Sequence, residues 1–365
     1  MRPKNKPMRR QYSAFLFLLL WGTFTPSQAQ PDPAVLDSIV RSAVAEQAFE
    51  GTVLVADRGE VIFHQAFGYR DLEQTKPTRK DTHFGIASIT KLFTAIVLLQ
   101  LVEEGKLALT DDLNTLLPEW DIPRAKRITV HHLLLHISGL PNESDTIYQS
   151  TRSAEEFVRE TLGQPGSRFG AFNYANIDYV LLGLLIERYT GKPWRQAVQE
   201  RILDRAAMPD TGFLAKGQYP PNYARTFSYG EGQERRPDPA FHIENFHAAG
   251  CMYATAGDLL RLDQALYGES LLSQVSQERL YTSYPEYNYS GYSVWTYAYP
   301  FSASQPRVME RRGGILGANS VLVRLLDLNR TLIILSNNDR FDPDSFGDTA
   351  SLKEALMIAM DVSGG

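Results

Sequence analysis

The segment FGIASITKLFTAIVLLQLV (residues 84–102) places Ser88 and Lys91 immediately before a long apolar run. From residue 89 to residue 102 the chain is apolar on almost every side of a helix, which predicts a helix buried inside the protein. Gly105 is the expected end of this helix, and Ser88 lies at its first turn. The unpaired N–H groups and the helix dipole at that end favour a negative charge that develops near Ser88.

Two interpretations of the Ser88 and Lys91 pair are open at this point. In the first, Ser88 is a nucleophile, and Lys91, on the same helical face, is partly desolvated in a cleft and shares a proton with the serine. In the second, Ser88 caps the helix and Lys91 extends its side chain to water. The helix alone supports both interpretations equally.

The rest of the chain has strands at both ends and helices between them. Residues 51–56 and 61–69 flank a glycine turn and predict a β-hairpin, and four strand-like runs follow near the C-terminus: GYSVWTYAY, RVMERRGG, SVLVRLL and TLIILSN. The hairpin and these strands can pair only if both ends of the chain share one sheet. We therefore predict an α+β fold with an antiparallel β-sheet built from N- and C-terminal strands and flanked by helices.

A mostly helical lobe is expected to be inserted into this fold. The sheet lobe would comprise residues 33–104 and 285–365, and the helical lobe residues 105–284, within one domain of residues 30–365. A groove between two lobes is the usual place for a site.

A second segment, YANIDYVLLGLLIERYTG (residues 174–191), contains the only Tyr-x-Asn of the chain, Tyr174 and Asn176, before another apolar helix. A tyrosine beside a lysine can act as a general base, because the positive charge stabilises the phenolate. Asn176 can offer its amide to a substrate carbonyl and to the lysine. The alternative is that Asn176 caps the helix and Tyr174 is a flanking aromatic residue.

Together these segments resemble the serine β-lactamase and penicillin-binding-protein superfamily, specifically its class C β-lactamase, D,D-peptidase and esterase branch. Other blocks of that family occur here in the same order, such as LVEEGKLALTDDLNTLLPEW, ITVHHLLLHISGLP and AAGCMYATAGDLLRL. The resemblance implies covalent acyl transfer without a metal or an organic cofactor. It also implies that Ser88 is the acylated nucleophile, Lys91 its proton partner and Tyr174 the general base. Asn176 would hold the substrate, and the N–H of Ser88 would form half of the oxyanion hole.

The third family motif differs in this chain. Where members of the family carry Lys-Thr-Gly or His-x-Gly, the sequence has Arg311, Arg312 and Gly313 in MERRGGILGANS. The resemblance implies that Gly313 borders the substrate and that the N–H of Gly314 completes the oxyanion hole. Arg311 is expected to bind a substrate carboxylate with both arms of its guanidinium. Successive strand residues face opposite sides, so a register error of one residue would place Arg312 in the cleft instead.

The N-terminal residues predict a secretion signal. Five basic residues precede the apolar run AFLFLLLW (residues 14–21), and SQA (residues 27–29) supplies small residues for a signal peptidase. The apolar run is too short to span a bilayer, so we expect cleavage after Ala29 and a periplasmic protein without a membrane anchor; an uncleaved anchor is the alternative. Cleavage removes five positive charges and changes the formal net charge from −5 to −10. No nucleic-acid partner is expected of so acidic a protein.

Three function classes follow from the sequence. The leading one is an exported serine hydrolase that cleaves an ester or amide, with D-amino-acid peptides and β-lactams among the candidate substrates. The altered third motif motivates the alternative of a non-catalytic relative that binds peptidoglycan fragments or a partner protein.

The third class is a zinc hydrolase that uses His131, His132 and His136. No glutamate lies between the last two as it does in metalloproteases, so we expect these histidines to be structural. Cys251, the only cysteine, lies among small and apolar residues and is expected to be a buried, inert thiol.

Overall fold

The computed structural model describes residues 29–362, so the predicted signal sequence lies outside it except for Ala29. The helices are α1 (Pro33–Gln47), α2 (Thr90–Glu103), α3 (Leu113–Leu116), α4 (Val130–Leu134), α5 (Ala154–Leu162), α6 (Asn176–Thr190), α7 (Trp194–Val198), α8 (Ala256–Tyr267), α9 (Gln274–Tyr281) and α10 (Leu352–Ala359). The strands are β1 (Gly51–Asp57), β2 (Glu60–Phe67), β3 (Phe84–Gly85), β4 (Gly212–Phe213), β5 (Phe227–Tyr229), β6 (Arg235–Pro237), β7 (Met252–Ala254), β8 (Trp295–Ala298), β9 (Arg307–Ile315), β10 (Ala318–Leu325) and β11 (Arg330–Ser336).

One six-stranded antiparallel sheet joins the two ends of the chain. Its strand order is β2-β1-β11-β10-β9-β8, so the N-terminal hairpin pairs with the C-terminal strands through β1 and β11. In the register of that pair, Val53 lies opposite Ile334 and Leu54 opposite Ile333. The predicted fold class is therefore confirmed.

Both faces of the sheet are covered, which explains why β1 and β11 are buried along their whole length. Val53 and Ile334 point to one face, where α1 and α10 pack against the sheet. Leu54 and Ile333 point to the other face, where they join the core of the helical part of the protein. Strands buried on both faces are continuously apolar, because each successive side chain enters a different core.

Helix α2 lies in the centre of the larger core, and its residues from Thr90 to Leu101 are all buried. Its polar side chains find internal partners: Thr94 donates to the carbonyl oxygen of Ala248 over 2.7 Å, and Gln100 to that of Leu271 over 3.0 Å. Within residues 29–362, no helix combines the length and hydropathy needed to cross a bilayer. The predicted buried helix is thus present, and its first turn is positioned by the core around it.

A second, three-stranded sheet of order β3-β7-β4 holds the segment that leads into α2. Phe84 pairs with Ala254 and Gly85 with Tyr253, and the N–H of Ile86 donates to the carbonyl oxygen of Met252 over 3.0 Å. The turn that carries Ser88 is therefore fixed beside the Ala248–Gly250 segment.

Candidate active site

Ser88 lies in a short 3₁₀ turn, Ala87–Ile89, that leads directly into α2. Ala87 has a φ of 42°, and this left-handed backbone conformation turns the chain sharply from β3 into the helix. The Ser88 side chain forms no helix cap, and it is only half-buried. The structure therefore decides against the interpretation of Ser88 as a cap.

Lys91 is fully buried rather than extended to water. Its Nζ donates to Ser88 Oγ over 3.1 Å, to Asn176 Oδ1 over 2.7 Å and to the carbonyl oxygen of Ala249 over 2.8 Å, which uses its three hydrogens. Burial lowers the pKa of the Lys91 ammonium, while the neighbouring Tyr174 acts in the opposite direction. A buried ammonium held against a serine hydroxyl can exchange a proton with it or hold it in orientation.

Tyr174 lies beside this pair. The distance from Lys91 Nζ to the centre of the Tyr174 ring is 4.9 Å. Its hydroxyl accepts a hydrogen bond from Arg311 Nη2 over 2.9 Å. Burial acts to raise the pKa of the Tyr174 phenol, but the charges of Arg311 and Lys91, with a hydrogen bond from Ser88, outweigh it and lower the pKa to about 7. An ionised phenol near neutral pH is suited to accept a proton from a serine.

Arg311 faces this cluster, which decides the register that the sequence left open. Arg312 lies on the opposite face of β9, where it pairs with Glu310 and Asp344. Arg311 Nε donates over 2.7 Å to the carbonyl oxygen of Ser88, to which Nη2 also donates. These bonds and one to Tyr174 engage Nε and Nη2 of the guanidinium, and the expected grip of Arg311 on a substrate carboxylate stays a prediction.

Gly313 and Gly314 occupy the end of β9 that lies beside the Ser88 turn. The pairing with β8 stops at Glu310, so within residues 29–362 no further strand pairs with this edge of β9 from residue 311 onward. A Cβ on Gly313 would lie 2.1 Å from the carbonyl oxygen of Ile86, whereas Gly314 is exposed. Only glycine at position 313 therefore lets the strand approach the Ser88 turn this closely.

Asn176 is the first residue of α6, and its side chain does not cap that helix. Its Oδ1 accepts from Lys91, and its Nδ2 donates to Glu143 Oε1 over 2.7 Å. Glu143 also accepts from the Tyr148 hydroxyl, and its Oε2 is buried without a partner among the described residues. Sequence reasoning missed Glu143, because an acidic residue in a loop carries no signal that separates a cleft position from an exposed one.

The similarity of this chain to known proteins shows the family to which it belongs. A sequence model described as Beta-lactamase matches residues 36–357. The chain belongs to the Beta-lactamase family. Penicillin-binding protein 4* of Bacillus subtilis is 27% identical over 346 residues, which cover 88% of this chain and 75% of that protein. Esterase EstB of Burkholderia gladioli is 29% identical over 275 residues, which cover 64% of this chain and 69% of EstB.

Solved structures of this family share the fold. The D-amino acid amidase from Ochrobactrum anthropi SV3 complexed with L-phenylalanine is 25% identical, with a TM-score of 0.74 over 89% of this chain and 97% of that one. The penicillin binding protein from Bacillus halodurans is also 25% identical, with a TM-score of 0.72 over 88% of this chain and 98% of that one. This protein is accordingly a serine hydrolase of the Beta-lactamase family, whose enzymes act on small molecules or peptides.

A buried polar cluster lies directly behind Tyr174 in this Beta-lactamase family member. The imidazole of His136 lies 4.3 Å from the Tyr174 ring, centre to centre, and its Nδ1 lies 3.1 Å from Asp178 Oδ2. Ser138 donates to the other oxygen of Asp178 over 2.6 Å. Burial lowers the pKa of His136 and raises that of Asp178, so both groups tend towards their neutral forms. No pattern in the sequence indicates that these residues meet.

The other histidines singled out in the sequence have separate partners. His131 contacts the Tyr292 hydroxyl over 2.7 Å, and His132 forms a capping box with Thr129 at the start of α4. Residues 29–362 contain no group of three histidine, cysteine or acidic side chains arranged for a metal ion. His247 has a φ of 43° in the turn that directs the carbonyl oxygens of the next two residues towards α2.

A cavity of about 340 Å³ begins beside the Ser88 turn. It runs from Ala87 and Gly250, past Ile315, to the aromatic side chains of Tyr223 and Phe241. Cys251, next to Gly250, is fully buried, and burial raises the pKa of its thiol to about 11. The cavity is lined by both polar and apolar side chains, and through Ala87 it borders the turn that carries Ser88.

Proposed function

We propose that this protein is an exported enzyme that cleaves an ester or amide through an acyl-enzyme on Ser88. The observation that carries the proposal is the contact of the buried Lys91 ammonium with Ser88 Oγ over 3.1 Å, beside a Tyr174 phenol whose pKa is about 7. A serine hydroxyl becomes a strong nucleophile only with a base in hydrogen-bond reach, and a phenolate near neutral pH is such a base.

The reaction proceeds in two proton-balanced halves. The Tyr174 phenolate takes the Ser88 proton as Oγ bonds to the substrate carbonyl carbon, and the N–H groups of Ser88 and Gly314 stabilise the oxyanion. The bond to the leaving group then breaks, and its oxygen or nitrogen takes the proton from Tyr174. Water repeats these steps on the acyl-enzyme and regenerates Ser88. Lys91 and Arg311 stabilise the phenolate whenever it forms.

The substrate classes come from the relatives and from the pocket. An esterase, a D-amino acid amidase and penicillin-binding proteins are similar to this chain, so esters, D-amino-acid amides or peptides, and β-lactams are the acyl donors to test. The 340 Å³ cavity beside Ser88 would take the acyl group. Asn176 Nδ2 bonds to Glu143 with one hydrogen and keeps the second for the substrate carbonyl.

Covalent labelling tests the Ser88 assignment. Purified protein should gain one adduct with a fluorophosphonate or a fluorescent penicillin, and Ser88→Ala should gain none with either probe. Ser270→Ala is the matched control, because that serine is exposed and its hydroxyl donates to the carbonyl oxygen of Ala265. An adduct of equal yield in the Ser88 variant would contradict the assignment of Ser88 as the nucleophile. No Ser88-dependent adduct with either probe, together with no turnover of p-nitrophenyl esters by the wild type, would leave only a binding role.

Export is tested separately. The basic and apolar N-terminal segment predicts that the full chain, expressed in a bacterium, appears in the periplasmic fraction. Its mass should be that of a chain that begins at Gln30. Material that stays in the cytoplasm at full length would contradict export and would leave the proposed chemistry unaffected.

A further inference from the structure

His136 bonds to the residues on both sides of Tyr174. Its carbonyl oxygen accepts from the N–H of Asn173 over 2.8 Å, and its Nδ1 accepts from the N–H of Ala175 over 3.3 Å. Between these two bonds, the imidazole lies against the Tyr174 ring, with 4.3 Å between the ring centres. The backbone that carries the Tyr174 side chain is therefore held by this one histidine.

The bond from Ala175 also decides which imidazole nitrogen carries the hydrogen. A backbone N–H can only donate, so the Nδ1 of His136 must accept and carries no hydrogen itself. Asp178 Oδ2 lies 3.1 Å from the same nitrogen. A carboxylate oxygen there would place two lone pairs against each other, whereas a protonated carboxyl would donate to Nδ1. The imidazole hydrogen is then on Nε2, which is buried without a partner among the described residues whichever nitrogen is protonated.

The other oxygen of Asp178 is an acceptor. Ser138 Oγ accepts from the N–H of Leu140 over 3.0 Å, so its own hydrogen can go to Asp178 Oδ1 over 2.6 Å. One oxygen of Asp178 thus accepts while the other donates. A carboxylate can only accept, so this is the hydrogen-bond pattern of a neutral carboxylic acid.

The charges around the His136–Asp178 pair agree with two neutral groups. Burial, together with the charges of Lys91 and Arg311, lowers the pKa of His136 well below its usual value. Burial raises the pKa of Asp178 well above its usual value, although its hydrogen bond from the serine and the charge of Lys91 act in the opposite direction. The ring centre of Tyr179 lies 5.0 Å from that of His136; burial raises the pKa of this phenol, and its hydroxyl donates to a backbone carbonyl oxygen.

We propose that Asp178 is a protonated carboxylic acid that donates to His136 Nδ1, and that this uncharged pair positions Tyr174 without opposing its ionisation. A carboxylate at the same place would also contact the imidazole, but its negative charge would oppose formation of the Tyr174 phenolate. His136 and Asp178 are thus positioning residues. Their effect on catalysis rests on the proposed function, whereas the place of the proton does not depend on activity.

Infrared spectroscopy can detect the proton on Asp178. The difference spectrum of wild type minus Asp178→Asn at neutral pH should contain the C=O stretch of a protonated carboxyl, and this band should shift in D2O. Asp258→Asn is the matched control, because Asp258 is equally buried but accepts from Thr211 and Arg261 and should contribute carboxylate bands only. Carboxylate bands alone in the Asp178→Asn difference spectrum would overturn the proposal.

Nitrogen NMR spectra of the wild type provide a second measurement, which does not require Asp178→Asn to fold. The His136 signals are assigned by comparison with His136→Asn. We expect an imidazole that is protonated on Nε2 alone, because Nδ1 accepts from Ala175. A hydrogen on Nδ1 would mean that Asp178 is the acceptor, and the proposal would then be wrong.

The pH dependence of kcat/KM for p-nitrophenyl acetate tests the effect on Tyr174. Asp178→Asn can keep both hydrogen bonds, because its amide nitrogen donates to His136 and its amide oxygen accepts from Ser138. We therefore expect the midpoint of the rise to stay within about 0.3 pH unit of the wild type. If Asp178 were ionised, loss of its negative charge would lower the midpoint by about one pH unit or more, which would contradict the proposal.

Two variants of His136 test the positioning role. His136→Phe keeps a ring beside Tyr174 but removes the acceptor for Ala175, and His136→Asn offers an amide oxygen close to the position of Nδ1. We expect kcat of the folded Phe variant to fall by about tenfold or more, and the Asn variant to recover a large part of that loss. Equal kcat values for the two folded variants would refute the positioning role. If the wild type shows no Ser88-dependent turnover, the proposed function fails, while the two spectra still decide where the proton lies.

Discussion

Replacement of Arg311 by glutamine should move the pH dependence of acylation. Burial works against ionisation of Tyr174, and Arg311 is the first of the charges that overcome it and bring its pKa from 10.0 to about 7. Arg311→Gln removes that charge and leaves Lys91 alone to stabilise the phenolate. The phenolate is the active base, so the rate rises with pH through this pKa, and the variant's rise should occur at higher pH.

The size of this shift in pH follows from the contact between Arg311 and the Tyr174 hydroxyl. Two unit charges about 4 Å apart attract by about 1 kcal/mol in water and by about 4 kcal/mol at the effective dielectric constant near a protein surface. At about 1.4 kcal/mol per pH unit, loss of the charge at Arg311 should raise the midpoint by roughly 1 to 3 pH units. Well below both midpoints, the rate of the variant should therefore be lower by roughly tenfold or more.

The assay is kcat/KM for p-nitrophenyl acetate between about pH 5 and pH 10, because this parameter reports the ionisations of the free enzyme. Arg312→Gln is the matched control, since it removes the same charge one residue away, where the side chain is paired with Glu310 and Asp344. Its midpoint should stay near that of the wild type. A midpoint that stays near pH 7 in Arg311→Gln, or one that persists in Tyr174→Phe, would refute the reasoning.

Three further predictions concern packing and burial. Gly313→Ala should lower both the melting temperature and the acylation rate, because the new Cβ would lie 2.1 Å from the carbonyl oxygen of Ile86; Gly314→Ala should do so much less, because its nearest neighbour is a side-chain atom 3.2 Å away. Asp178→Ala should cost about 1 to 3 kcal/mol more in the free energy of unfolding than Asp178→Asn, which still offers its buried partners hydrogen bonds; equal urea midpoints would contradict this. Cys251 should react with Ellman's reagent only after denaturation, since it is fully buried and its pKa is about 11.

Local patterns in the sequence were sufficient to predict the elements that lie in the cores. The run from residue 89 to residue 102 is apolar almost all round because α2 is surrounded by other elements, and the structure buries it from Thr90 to Leu101. The strands β1 and β11 were recognisable for a similar reason, since each is covered on both faces. These features depend on residues that are neighbours along the chain, so a single sequence is sufficient to predict them.

The partners of Arg311 and Glu143 depend instead on residues far away along the chain. Arg311 reaches the Ser88 carbonyl oxygen across 223 residues, and Asn176 reaches Glu143 across 33. A resemblance can place Arg311 at a motif position, but it cannot show that the guanidinium folds back onto the nucleophile turn. The long arginine side chain makes this contact possible.

The arginine also changes which groups in the site can titrate. A histidine at position 311 would lose its charge near neutral pH, whereas arginine stays protonated throughout the range in which proteins are stable. Of the two cations against Tyr174, only Lys91 can therefore release a proton, and burial lowers its pKa. In a plot of kcat/KM against pH, a fall at alkaline pH would then report the ionisation of Lys91, and the rise at lower pH would report that of Tyr174. The arginine thus leaves the phenolate beside one permanent charge, on Arg311, and one charge that is lost when Lys91 releases its proton.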